Sequence, residues 1–168
     1  MGIIHSFGSD DYLTPPQIIK ALGPFDLDPA CPPNMPWKTA KKMLTKEDDG
    51  LLDKWWKYKA RVWNNPPYSR VWPWAQRLAW HVDVNGGSGH FLVTSKSTGT
   101  RSGQLMLRTA DSAFFVGGRW QFYLPSGEIT EGKWVDSVLY NLTPFDTVKC
   151  IKAIDSEVLS GVLMRRLL

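Results

Sequence analysis

The 168-residue sequence predicts an α/β fold, with a mixed, Rossmann-like central sheet flanked by helices in one compact domain. Strand and helix signals alternate through the middle of the chain, and strand signals dominate later. An apolar fraction of 43% and a charged fraction of 21% are ordinary globular proportions, which argues against fibrous and disordered classes. The length suits one hydrophobic core and leaves little room for a second. The expected organisation is a single domain over 1–168, with a flexible N-terminus at 1–11 and a C-terminal extension at 144–168 packed on the domain.

Each element follows from local chemistry. In "TPPQIIKALG", Pro15 and Pro16 open a helix behind Thr14 as its cap, residues 18, 19 and 22 share an apolar face, and Gly23 ends it. "FDLDPAC" alternates as a strand does and stops at Pro29. The segment "PPNMPWKTAKKMLTK", rich in proline and lysine, reads as an ordered loop, and "EDDGLLDKWW" as a turn or one helical turn. In "RVWNNPPYSR", Val62 and Trp63 form a short buried strand that Pro66 and Pro67 stop. Apolar residues at 71, 74, 75, 78, 79 and 82 of "VWPWAQRLAWHV" have the helical period. "GHFLVTSKSTGTR" is a strand running into a polar, basic loop, and "GQLMLRTA" is helical. "SAFFVGGRWQFYLPSG" and "KWVDSVLYNL" read as strands separated by the turn-like "PSGEITEG". The tail "AIDSEVLSGVLMRRLL" reads as a closing helix capped by Asp155 or Ser156.

Composition narrows the function. Cys31 and Cys150 lack metal-ligand spacing and are too few for a disulfide framework, so no metal and a reducing compartment are expected. The N-terminus has no leader pattern and no stretch approaches a membrane span, which makes a soluble, cytoplasmic protein the expectation. A net charge of +4 favours a polyanionic partner. Nine tryptophans are read as mostly core, with one or two exposed as stacking surfaces. His5, His81 and His90 are scattered, and no Ser/His/Asp or paired-carboxylate arrangement stands out.

The stretch "NPPY" carries chemistry of its own. It follows a strand, and in open α/β sheets ligands sit at the strands' carboxyl ends. The Asn65 amide oxygen and the Pro66 carbonyl can both accept from one planar amine, and Tyr68 can stack on the ring bearing it. Such a site needs no prior deprotonation. Positioning a nucleophile against a bound donor is worth about 7–11 kcal/mol in favourable cases.

"NPPY" after a strand resembles the catalytic motif of amino-methyltransferases that use S-adenosylmethionine. Around it, "YLTPPQIIKAL", "FDLDPAC", "PWKTAKKMLTKEDDGLLDKW", "VWNNPPYS", "STGTR" and "GGRWQF" are similar in order and spacing to the phage-type DNA N6-adenine methyltransferase (Dam) family, over roughly Tyr12 to Leu142. The resemblance implies a Rossmann-like methyltransferase fold without a separate target-recognition domain. It implies S-adenosylmethionine as cofactor, no metal, and direct methyl transfer to the N6 amine of a flipped adenine in DNA, with short or relaxed sequence preference. A phage or prophage protein acting in the cytoplasm of a bacterial host is expected.

Carried onto this chain, the amine-binding motif falls on Asn65, Pro66, Pro67 and Tyr68. Cofactor-binding positions fall on Tyr12, Thr14, Pro15, Asp28, Pro29 and Ala30, with Asp28 toward the methionine ammonium and Asp48 and Asp49 toward the adenosine hydroxyls or amine. Arg70, Lys96, Arg101 and Arg119 are expected to touch DNA. The usual glycine-rich loop after the first strand is absent, with no glycine until Gly50, so a compressed or partly open pocket is expected. Methylation of another planar amine, in RNA or a protein glutamine, and a catalytically silent DNA-binding protein remain the alternatives.

Overall fold

Pairs of neighbouring apolar residues that point to opposite faces of short strands build the centre of this molecule. The computed structural model describes residues 12–118 and 120–166. In chain order the strands are β1 (Leu27–Asp28), β2 (Lys42–Met43), β3 (Arg61–Asn64), β4 (Ser88–Thr94), β5 (Ser112–Val116), β6 (Trp120–Tyr123), β7 (Ile129–Val135), β8 (Ser137–Asn141) and β9 (Gly161–Arg165). Seven form one sheet in the order β2-β1-β3-β4-β8-β5-β9. The first four run parallel, and β8, β5 and β9 continue antiparallel, so the sheet is mixed as the sequence predicts. β6 and β7 form a separate antiparallel pair, tied to the N-terminal segment by a bridge between Leu13 and Tyr123.

Four α-helices cover the sheet: α1 (Pro16–Leu22), α2 (Val71–Asp83), α3 (Arg101–Thr109) and α4 (Pro144–Asp155). Val62, Phe91 and Val138 face Trp74 and Leu78 of α2 and Met106 of α3. Their chain neighbours Trp63, Leu92 and Leu139 face α1 and α4. Burial on both faces explains why these strands read as continuous apolar runs.

Several expectations change. Pro15 precedes α1 and no side chain caps it, so Thr14 is not its cap. The proline-rich segment holds β2, whose two residues pair with β1 through Leu27 opposite Lys42. The two later strands become four, because the first is interrupted at Gly117 and Gly118, the latter at φ 76, and the second at Asp136. The closing helix is absent. The helix lies earlier, as α4, started by a capping box between Thr143 and Asp146, and the tail instead forms β9, the edge strand beside β5. Among tryptophans with described side chains, Trp56, Trp63 and Trp74 are buried, the half-buried Trp55 and Trp120 pack against the core, Trp37 and Trp72 are half-buried, and Trp80 is exposed. Both cysteines are free and buried.

A buried polar chain crosses the sheet. Arg61 Nε donates to Asp146 Oδ1 at 2.9 Å, and Arg61 Nη2 lies 3.0 Å from His90 Nε2. A guanidinium only donates, so His90 Nε2 accepts and the ring is neutral with its proton on Nδ1. Nδ1 then donates to Asn141 Oδ1 at 2.8 Å, and Asn141 Nδ2 donates to Ser112 Oγ at 2.9 Å. Ser112 passes the same direction to Thr147, and Thr147 to Asp111, each at 2.6 Å. Among the described residues no helix is long and apolar enough to cross a membrane.

Candidate active site

β1 lies between β2 and β3, and the parallel strand order 2-1-3-4 places a topological switch point at the carboxyl ends of β1 and β3. Asn65 follows β3 directly. Pro66 and Pro67 have no N–H to extend a ladder, so the chain turns through a 3-10 segment at Tyr68–Arg70 into α2.

Asn65 is held from the far end of the sequence. Its Nδ2 donates to the Tyr12 carbonyl at 3.2 Å and to Thr14 Oγ1 at 3.3 Å. A backbone carbonyl only accepts, so the amide edge facing it is the NH₂. That fixes the side chain, and Oδ1 is buried with no hydrogen-bond partner among the described residues. Tyr68 packs on Tyr12 with centroids 6.5 Å apart and planes 29° from parallel, and burial raises its phenol above the ordinary tyrosine range. The segment carrying these contacts is anchored in turn, since Trp37 Nε1 donates to the Thr14 carbonyl at 3.1 Å and Leu13 is fully buried.

Beside this motif opens a cleft of about 440 Å³. Pro29 and Ala30 at the end of β1, Asp49 and Leu51 from the acidic turn, and Pro67 and Arg70 from beyond β3 contribute to its lining. Its size falls in the range of small-molecule sites. The two acidic residues of "EDDG" divide their roles. Asp48 accepts from Thr45 N at 2.9 Å and closes the turn, whereas Asp49, at φ 52, faces the cleft. Two indoles pin the turn, with Trp55 Nε1 donating to the Asp48 carbonyl at 3.2 Å and Trp56 Nε1 to that of Gly50 at 2.8 Å.

Asp28, at the end of β1, is 2% exposed and is not among the residues lining the cleft; Ala30 N donates to its Oδ1 at 3.2 Å and Thr39 Oγ1 to its Oδ2 at 2.5 Å. Burial pushes its carboxyl up to about 7, although both hydrogen bonds favour the charged form. A ligand ammonium reaching Asp28 therefore shares oxygens already engaged by the protein. Pro15 is buried at the start of α1.

Of the residues expected on DNA, Arg70 lines the cleft itself. Lys96 is exposed in a 3-10 turn, Ser95–Gly99, just past the carboxyl end of β4. Arg101 opens α3 and lies over the Trp72 ring at 4.3 Å, which ties α3 to the start of α2. Arg119 lies outside the described residues.

Three features escaped the sequence reading. Lys46 and Cys31 also line the cleft, and burial pushes the Cys31 thiol up to about 12. Asn64, fully buried at the end of β3, has neither amide atom hydrogen-bonded among the described residues. An asparagine directly after the apolar pair Val62 and Trp63 was the available signal for Asn64. Among the described residues no cluster of three or more His, Cys, Asp or Glu side chains could hold a metal ion.

Compared with known families, residues 6–149 match the model of DNA N-6-adenine-methyltransferase (Dam). No curated protein and no solved structure matches the chain.

Proposed function

We propose, because this chain belongs to the DNA N-6-adenine-methyltransferase (Dam) family, that it transfers a methyl group from S-adenosylmethionine to the N6 amine of an adenine turned out of the DNA stack. The observation that carries the reading is the Asn65 amide at the switch point, with its N–H groups tied down and its buried Oδ1 without a hydrogen-bond partner among the described residues.

The cleft and its donors fit the cofactor. Its size suits a nucleoside-sized ligand; Asp49 accepts from sugar hydroxyls, and Pro29 and Ala30 give the cleft apolar lining. Arg70 and Lys46 supply positive charge for a carboxylate. When bound, S-adenosylmethionine supplies a methyl on a cationic sulfur, which departs as a neutral thioether.

The chain's own contribution is positioning. Asn65 Oδ1 and the Pro66 carbonyl accept the two hydrogens of the adenine amine, which leaves the nitrogen lone pair free to form the new N–C bond. Because both Asn65 N–H groups already donate, the amide is polarised and Oδ1 becomes a stronger acceptor. The nitrogen is cationic once methylated, and Oδ1 holds the proton that it then releases to water. Tyr68 gives the flipped base a stacking face, offsetting part of the few kcal/mol that extrusion costs. Lys96 and Arg101, both just past the carboxyl end of β4, contact phosphates, and with few side chains in reach of base edges the sequence preference is short or relaxed.

The test is methyl-labelled cofactor offered with DNA, RNA and glutamine-containing protein in separate reactions. Label in the N6 position of DNA adenine supports the reading. Label only in RNA or protein, or in none of the three, overturns it.

A further inference from the structure

We propose that Thr14 is a positioning residue, whose hydroxyl holds the Asn65 amide in the one orientation that presents Oδ1 to an incoming amine. The proposal rests on the catalytic reading of Asn65, and it gives Thr14 a different task from holding the cofactor.

An asparagine side chain offers two edges of similar shape and opposite hydrogen-bonding sense. Rotated by half a turn, the Asn65 amide would present donors to the substrate amine, itself a donor, and the nucleophile would be lost. The protein therefore needs contacts that tell the edges apart. The Tyr12 carbonyl, 3.2 Å from Nδ2, accepts only and repels an amide oxygen. Thr14 Oγ1, 3.3 Å from the same nitrogen, takes the second N–H. Together they satisfy both donors, and Oδ1 is left without a partner among the described residues.

Thr14 is suited to the task by its surroundings. It is 2% exposed, its carbonyl receives the Trp37 indole N–H at 3.1 Å, and the preceding Leu13 is bridged to Tyr123 of the β6–β7 pair. The Tyr12 carbonyl selects which amide edge faces inward, and the Thr14 oxygen, held in place by its backbone contacts, anchors that edge by taking its second N–H. Thr14 is not among the residues lining the cleft, whereas Pro29, Ala30 and Asp49 are. The contact spans 51 positions of sequence, so the N-terminal segment and the motif after β3 form one unit only in the folded protein.

Thr14→Val removes the hydroxyl at nearly constant volume, and Thr14→Ser retains it. One neutral hydrogen bond corresponds to a rate change of about 3- to 10-fold. At saturating cofactor and DNA, the single-turnover rate of Thr14→Val should fall by that factor with cofactor Kd and thermal midpoint close to the parent's, and Thr14→Ser should recover most of it. An unchanged rate, a loss that appears in cofactor Kd instead, or a serine variant as slow as the valine variant each overturns the proposal. A second readout does not depend on activity. The ¹⁵N side-chain amide signal of Asn65, assigned by its disappearance in Asn65→Ala, should shift and exchange faster with water in Thr14→Val and return in Thr14→Ser. The same signal in all three proteins overturns the positioning role. If the parent transfers no methyl group, the catalytic reading falls while the amide signal still decides whether Thr14 orients Asn65.

Discussion

Gly50 lies against the end of β1, so close that a Cβ on it would sit 1.8 Å from the Pro29 carbonyl oxygen. The close approach that a glycine-rich loop would give directly after the first strand is here made between Pro29 and a glycine from the turn after β2. Gly50→Ala must push the acidic turn off Pro29 and deform the cleft between them. Loss of stability of about 1–3 kcal/mol is expected, as for overpacking at a closed site. Cofactor affinity should fall with it. Urea denaturation and calorimetric titration check both, and an alanine variant with parental values would show that the turn is free to move.

The Arg61–Asp146 pair is the second structural test. Asp146 is fully buried, and besides Arg61 it accepts from Gly89 N at 2.7 Å and from Thr143 Oγ1 at 2.7 Å. Asp146→Ala leaves a buried guanidinium uncompensated and removes the Asp146 half of the capping box at the start of α4, while Thr143 remains its cap. Destabilisation of about 3–5 kcal/mol is expected in denaturant melts. A loss under about 1 kcal/mol, which is the scale of an exposed pair, would contradict the buried role.

Two buried groups give stability opposite pH dependences. Asp28, raised from 3.8 to about 7, contributes stability that is complete below 3.8 and lost as pH rises through 7. His90, lowered by burial from 6.5 to about 4, contributes stability that is complete above 6.5 and lost as pH falls through 4. Between pH 4 and 6.5 the two oppose each other. Asp28→Asn should therefore unmask a thermal midpoint that rises with pH across that window, and should remove the decline toward pH 7. Melts at a series of pH values spanning the window decide it, with an unaltered profile as the contrary result.

Lys96→Ala with Arg101→Ala should weaken DNA binding and lower the slope of log affinity against log salt by about 0.9 for each phosphate that is no longer neutralised. Cofactor affinity should stay the same, since neither residue lines the cleft. Affinity measured over a range of salt concentrations gives the slope, and an unchanged slope would return this surface to plain solvent exposure.

How much of this was legible depended on how local each signal was. The break after β3 could be read because Pro66 and Pro67, which stop the strand, stand in the sequence itself. α2 could be read because its apolar positions keep one period through Leu78 and Ala79. β2 could not, since two residues, one exposed, leave no alternation to see. α4 was missed although Thr143, Pro144 and Asp146 spell out its start, because Phe145, Val148 and Ile151 put apolar side chains on its outer face and blur the period. Thr14 read as a helix cap because local rules cannot see a partner 51 positions away. Asp49 and Asp48 looked alike in sequence, and only the fold of the turn separates the one at the cleft from the one that closes the turn.

The central claim is that Asn65 Oδ1 accepts from the amine that becomes methylated, and single-turnover methyl transfer to DNA by Asn65→Ala tests it most directly. The variant should keep the parent's thermal midpoint and cofactor affinity, because the amide serves the reacting nitrogen and, among the described residues, makes two hydrogen bonds. Its rate should fall by at least about 100-fold, the scale on which a single well-placed transition-state hydrogen bond acts. A folded, cofactor-binding Asn65→Ala protein that methylates DNA at the parental rate would contradict the account.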